Sequence, residues 1–392
     1  MTTEDTTNTP AAIVRRRRWP KRVAIGLAVT GVALGAAYWY LGRETTLQML
    51  VQRVANASGG SIVVTGVTGS LYSSMHMEHV VFRSPEQLIT ADKLDIDWSP
   101  WQYLTSGVAI SKLHIASVRM DTLKKSEPAK MPKSLAPPFT LHIGDARIAK
   151  LTMTNQGAST VIGDVRFKLD GDKQKWELRD ASALTPWGRA AASGSIGSQR
   201  PFKLDGAASL VQTEVKAGQK PAQLNLRAGG DLTSTLLTAS GQAGKAVGDA
   251  KLTLAPFEPI PLRAMVINGR NIDPGFFNPA LPTADLSLAV TANIGADRTV
   301  GGTVDIINSG KTGPVDRELL PLREMRGRLG GNLNAMQIDD VLLDLGAAGK
   351  FTGSGAVQRG PLEKGLGAAQ FKLHTGRLDL KAIHSRMKTT GI

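Results

Sequence analysis

The chain contains no cysteine. Disulfides, thiolate nucleophiles and cysteine-ligated metals are therefore excluded, and the fold must be held by burial and backbone pairing alone. Aromatic residues are also scarce, at 5% of 392 residues. No stripe of rings interleaved with basic residues occurs, so the formal charge of +14 does not point to a nucleic-acid partner. Six of the positive charges are Arg15 to Arg18, Lys21 and Arg22, and others, such as Arg166, Lys168, Lys203 and Lys251, are scattered singly.

Catalytic constellations are missing as well. There is no Gly-x-Ser-x-Gly elbow and no His-Glu-x-x-His signature. Gly310-Lys311-Thr312 ends like a phosphate-binding loop, but Asp305 stands where that motif needs its first glycine. Of the six histidines, only His76 and His79 are close in sequence, and on a regular strand they would point to opposite faces. Asp95/Asp97 and Asp339/Asp340 suit a wet strand face and a turn better than acid–base work. The expectation is a protein that is not an enzyme and holds no cofactor and no metal.

What the chain does have is one long uncharged run, Val23 to Gly42, between the basic cluster and Arg43. About 20 residues at 1.5 Å rise span a bilayer core. Residues 1–22 then read as a cytoplasmic tail and 23–42 as an inner-membrane anchor, with everything beyond exported. Val23 opens the anchor, and Tyr38, Trp39 and Tyr40 close it at the far headgroups. A cleaved signal peptide ending near Gly35-Ala36-Ala37 is the competing reading, and it also exports the domain.

Beyond the anchor, residues 43–58 read as a short amphipathic helix, with Leu47, Leu50, Val51 and Val54 on one stripe and Ser58-Gly59-Gly60 as the stop. From there the apolar period becomes two. Leu94/Ile96/Trp98, Val165/Phe167/Leu169 and Leu286/Leu288/Val290 are examples, each alternating with polar neighbours. Expected turns are Asp170-Gly171-Asp172, Asp205-Gly206, Gly229-Gly230-Asp231, Asn268-Gly269 and Gly301-Gly302. A Pro-rich loop over 124–138 separates a membrane-proximal β unit, 59–123, from a longer one, 139–392.

The expected fold is therefore mostly β. One-sided alternation over more than 300 residues must have its apolar faces covered. Sandwiches and barrels usually stop near 200 to 250 residues. A long curled, antiparallel-rich sheet would instead leave an apolar trough that calls for an apolar occupant or partner. Candidate lining residues are Ile96, Trp98, Ile110, Ile115, Val165, Phe167, Leu286 and Leu288. Against this stands a membrane-tethered structural β-domain whose alternating residues simply fill a core.

Several ordered stretches resemble one family. Thr65-Gly66-Val67-Thr68-Gly69-Ser70-Leu71-Tyr72, Leu94-Asp95-Ile96-Asp97-Trp98-Ser99-Pro100 and Leu135-Ala136-Pro137-Pro138 come first. Ile143-Gly144-Asp145-Ala146-Arg147-Ile148 follows, then Gly313-Pro314-Val315-Asp316, Leu319-Leu320-Pro321-Leu322 and Leu378-Asp379-Leu380-Lys381-Ala382-Ile383-His384. They are similar to the amino-terminal part of TamB, the inner-membrane subunit of the translocation and assembly module, within the AsmA-like group. The resemblance implies a repeating β-groove (a β-taco) that shields lipid acyl chains across the periplasm. It further implies phospholipid transport to the outer membrane, assembly of outer-membrane proteins such as autotransporters, and a TamA-like outer-membrane barrel as partner. That partner would bind through a carboxy-terminal region absent from this chain, which is shorter than the family pattern and is expected to be a fragment or split gene product. Some 20 to 25 strands at about 4.8 Å each would reach about 100 to 120 Å.

Overall fold

The computed structural model describes residues 30–32, 39–40, 42–103, 107–124, 130–155, 157–215, 220–295, 297–359 and 366–390. The helix α1 (Glu44–Ala57) leads into the strands. The first nine strands are β1 (Ile62–Gly69), β2 (Ser74–Arg83), β3 (Gln87–Trp98), β4 (Val108–Thr122), β5 (Leu141–Asn155), β6 (Ala158–Gly171), β7 (Lys175–Thr185), β8 (Gly188–Gly197) and β9 (Lys203–Val211). Then come β10 (Gln223–Asp231), β11 (Thr235–Ala243), β12 (Ala246–Leu254), β13 (Leu262–Ile272) and β14 (Leu286–Ile294). The last five are β15 (Val300–Asn308), β16 (Glu324–Asn332), β17 (Ala335–Asp344), β18 (Lys350–Arg359) and β19 (Leu366–Thr375).

Each strand pairs with its neighbours in sequence, giving one 19-stranded meander. All pairings are antiparallel except β4–β5, which is parallel. A parallel pair needs a crossover, and the Pro-rich segment supplies it. That segment is pinned on the next strands. Leu135 N donates to Ser198 O at 2.9 Å, and Trp176 Nε1 donates to Leu135 O at 2.8 Å. The sheet thus continues through the expected unit boundary. At about 4.8 Å per strand it extends about 85 to 90 Å.

Side-chain carboxylates and amides close several hairpins. Asp172 Oδ1 accepts from Gln174 N and Lys175 N, and Asp231 Oδ1 accepts from Thr233 N and Ser234 N. Both turns fall where the sequence places them. Asp205-Gly206, Asn268-Gly269 and Gly301-Gly302 do not turn; they lie inside β9, β13 and β15. Gly302 and Gly269 answer crowding instead. A Cβ on Gly302 would sit 2.3 Å from Thr291 O, and one on Gly269 would sit 2.6 Å from Ile272 Cδ1.

A second departure from simple alternation runs across β1–β6. Pairing skips Gly66, Glu78, Lys93, Ala116, Ala149 and Asp164, which line up strand by strand. Gly66, Lys93 and Asp164 have φ of 65°, 52° and 45°. On β1, β3 and β6 the left-handed residue breaks the pleat, and apolar positions flanking the crease are three apart: Val64/Val67, Val80/Met77, Val118/Ile115 and Leu151/Ile148. His76 and His79, on either side of Glu78, each meet their register partner, Asp95 at 2.7 Å and Asp92 at 2.6 Å.

The β1 edge is covered by α1, where Gln48 Nε2 donates to Val67 O at 2.9 Å. Of the anchor residues, Val23 and Tyr38 lie outside the described residues, whereas Trp39 and Tyr40 are helical and exposed. Among the described residues, no helix is long and apolar enough to cross a membrane.

Candidate functional site

The register sorts the side chains into two faces. One polar row runs from β2 to β16: His76, Asp95, His114, Arg147, Arg166, Ser182, Ala191, Ser209, Asn225, Ser240, Asp249, Asn268, Ala289, Asp305 and Arg326. Nothing in it is a large apolar residue. Cross-strand polar contacts stitch this face, among them His114–Asp145 at 2.8 Å, Lys168–Asp180 at 2.7 Å and Asn268–Asp249 at 2.9 Å.

Several carboxylates on it hold their protons unusually loosely, Asp92 and Asp170 among them. Hydrogen bonds from Ser117 and then His79 hold the Asp92 carboxyl below the usual carboxylate range. At Asp170, burial pushes upward, but hydrogen bonds from His142 and Arg179 outweigh it and the net shift is also downward. Both shifts favour the charged form and keep this face polar.

The opposite face is apolar along its whole length. Ile96, Leu113, Ala146 and Phe167 stand in one row across β3–β6, and Leu94, Ile115, Ile148 and Val165 in the next. From β8 to β18 a row runs through Ala190, Leu210, Leu224, Gly241, Gly248, Gly269, Leu288, Ile306, Met325, Leu343 and Phe351. A parallel row holds Ala192, Ala208, Leu226, Ala239, Ala250, Ile267, Val290 and Val304. Small residues dominate over β8–β12; larger ones occupy both ends.

All eight candidates named from the sequence fall on this face. Trp98 pairs with Ile110, Ile96 shares a row with Phe167, Ile115 with Val165, and Leu286 is two residues from Leu288. Leu210, Leu224, Leu237, Leu252 and Met265 belong with them and were not among the candidates. Their period-two signal is the same, diluted by intervening Gly and Ala.

Among the described residues, no second layer covers this face. Buried apolar residues among those described are Leu47, Val118, Ile143, Ala146, Phe202, Ala246, Ala255 and Ala348, too few for a sandwich core. All eight candidates are half-buried, Leu224 is 37% exposed and Met325 39%. The total accessible surface is 26589 Å², whereas a compact chain of 41.6 kDa exposes about 15,000 Å². The sheet curls but stays open as a trough. Among the described residues, no group of three or more His, Asp or Glu is placed to hold a metal ion.

A long open sheet with one apolar and one polar face is the architecture of the AsmA-like group. Within that group, residues 31–314 match the YdbH-like family, described as intermembrane phospholipid transport protein YdbH. The chain belongs to this family. No curated protein and no solved structure matches it. The family match supports the AsmA-like part of the TamB resemblance and does not extend to TamB itself.

Proposed function

We propose that the trough conducts phospholipids between membranes, with acyl chains against the apolar face and headgroups toward water at the rim. The carrying observation is the unbroken, half-exposed apolar surface from β2 to β19, which costs free energy when wet and gains it when an alkyl chain covers it. The family description, intermembrane phospholipid transport, supports the same reading. Conduction of this kind assigns no catalysis and no cofactor to the chain.

The test uses a photoreactive amino acid in place of Leu288 and, separately, Ala289, its polar-face neighbour. Phospholipid adducts at Leu288 and none at Ala289 are expected. Equal labelling at both positions, or none at Leu288, overturns the reading.

The 23–42 run would make the chain a single-pass inner-membrane protein with its bulk in the periplasm. The motif order further supports a role beside a TamA-like outer-membrane barrel, in which assembly of outer-membrane proteins accompanies lipid transport. Crosslinking of the full chain in cells that contain such a barrel tests this; adducts to other partners alone would sink it.

A further inference from the structure

The β1 end of the trough carries a concentration of exposed aromatic and aliphatic side chains that the conduit does not use. α1 packs along β1 through its first turn, where Thr46 and Leu47 are buried. Later on the same stripe, Leu50 is 38% exposed and Val54 59% exposed. The structure leads from there to a cluster of rings. Thr46 Oγ1 donates to Tyr40 O at 2.7 Å, which ties the exposed Trp39-Tyr40 pair to the start of α1. Gln48 then joins the same turn to Val67, near the end of β1. The β1–β2 connection beginning there holds Tyr72, whose ring stacks on Trp101 with centroids 6.3 Å apart. Trp101 and Tyr103, in the β3–β4 connection, are 59% and 54% exposed.

Three of the chain's four tyrosines (residues 40, 72 and 103) thus gather at one corner, in a protein where aromatics are scarce. Tyr and Trp combine an apolar ring with a polar tip, the chemistry favoured at the membrane–water boundary. A helix with an unburied apolar stripe lies in that same boundary. Arg43, whose guanidinium sits 4.4 Å from the Trp39 ring centre, and Arg53 add positive charge suited to anionic headgroups. The corner also follows directly on the Val23–Gly42 apolar run.

We propose that α1 and the Tyr72–Trp101–Tyr103 cluster form a docking surface for a phospholipid bilayer, seating the first strands of the trough at headgroup level. This deepens the conduit reading, on which it rests for the purpose of the seat: lipid would enter the apolar face without crossing water. Such helices lie in the interface with the apolar face about 5–10 Å into the headgroup–acyl boundary.

The absence of native cysteine permits a direct test in the full chain. Tyr103→Cys, Val54→Cys and Trp187→Cys each receive one environment-sensitive fluorophore. The protein is reconstituted in vesicles of phosphatidylethanolamine and phosphatidylglycerol, with lipids brominated high or low on the acyl chain. Trp187 is the control, because it is exposed in the β7–β8 turn, at the opposite strand ends from Trp101. Labels at 54 and 103 should shift to the blue, resist aqueous iodide and lose more fluorescence to the high bromines than to the low ones; the label at 187 should stay aqueous. If 54 and 103 behave like 187, the docking surface is overturned. Protection that arises only in native membrane vesicles would show a protein partner and overturn it equally. Photocrosslinking from Leu288, read in the same samples, separates the two ideas: docking without lipid adducts sinks the conduit alone, and adducts without docking sink the seat alone.

Discussion

A pair of charges placed on one strand of the apolar face should interrupt the trough without unfolding it. Leu288→Asp with Ala292→Asp puts carboxylates at two inner positions of β14, either side of Val290 and about 7 Å from it. Leu288 is half-buried, so its replacement removes about 1 kcal/mol of burial, and strand propensity adds up to about 1 kcal/mol per site. A loss of about 2–3 kcal/mol leaves a domain of ordinary stability folded. For an alkyl chain crossing β14, about seven methylenes would lose their apolar cover. At about 0.8 kcal/mol per buried CH₂, halved for an open trough, passage costs about 3 kcal/mol more, a factor of about one hundred. The assay compares photoadduct yields before the block, at Phe167, and beyond it, at Leu343. The parent should label both positions. In the double variant, labelling at the position downstream of the block should fall about one hundredfold. Ala289→Lys, which stands opposite Asp305 on the polar face, should change neither. Equal yields on both sides of the double substitution, with strand content intact by circular dichroism, would refute the argument that lipid travels along this surface.

Three further outcomes follow from local geometry. Asp92 and Asp170 have folded-state pKa values below the unfolded value, so the stability they contribute is present above about pH 4 and is lost as pH falls through their lowered values. Asp92→Asn with Asp170→Asn should therefore flatten the acid limb of a thermal-stability profile, and an unchanged limb would show that these pairs do not matter. Gly188 has φ 144°, and a Cβ there would lie 2.1 Å from Val211 O. Gly188→Ala should accordingly cost about 1–3 kcal/mol in urea unfolding, and a neutral result would mean that the β8–β9 edge is loosely held. Phe202 is fully buried at the β8–β9 connection, so Phe202→Ala should cost about 3–5 kcal/mol; less than about 1 kcal/mol would show that this contact is not a core in solution.

Much of this protein is legible locally. The period-two alternation marks the strands, the 47/50/51/54 stripe marks α1, and the four prolines of 124–138 mark the segment where antiparallel pairing stops. These signals depend on residues within one turn or one strand, so no distant contact is needed to read them. The eight candidates are apolar period-two positions, which a single strand displays; which of them share a row needed the register.

Other features were decided by which strands meet. Asn268-Gly269 reads as a turn because Gly frees the backbone, yet at that position it leaves room for Leu288 of β14 and for Ile272 beyond the irregularity in β13; the two causes look identical in one dimension. The crease through Gly66, Lys93 and Asp164 lines up across six strands, and only their alignment shows that these scattered residues belong to one feature. Above all, alternation is the same whether an apolar face is buried against a second sheet or left open. The meander of sequential pairings, with no second layer over the apolar rows among the described residues, made it a trough, because closure depends on curl and strand number summed over the whole sheet rather than on any one strand.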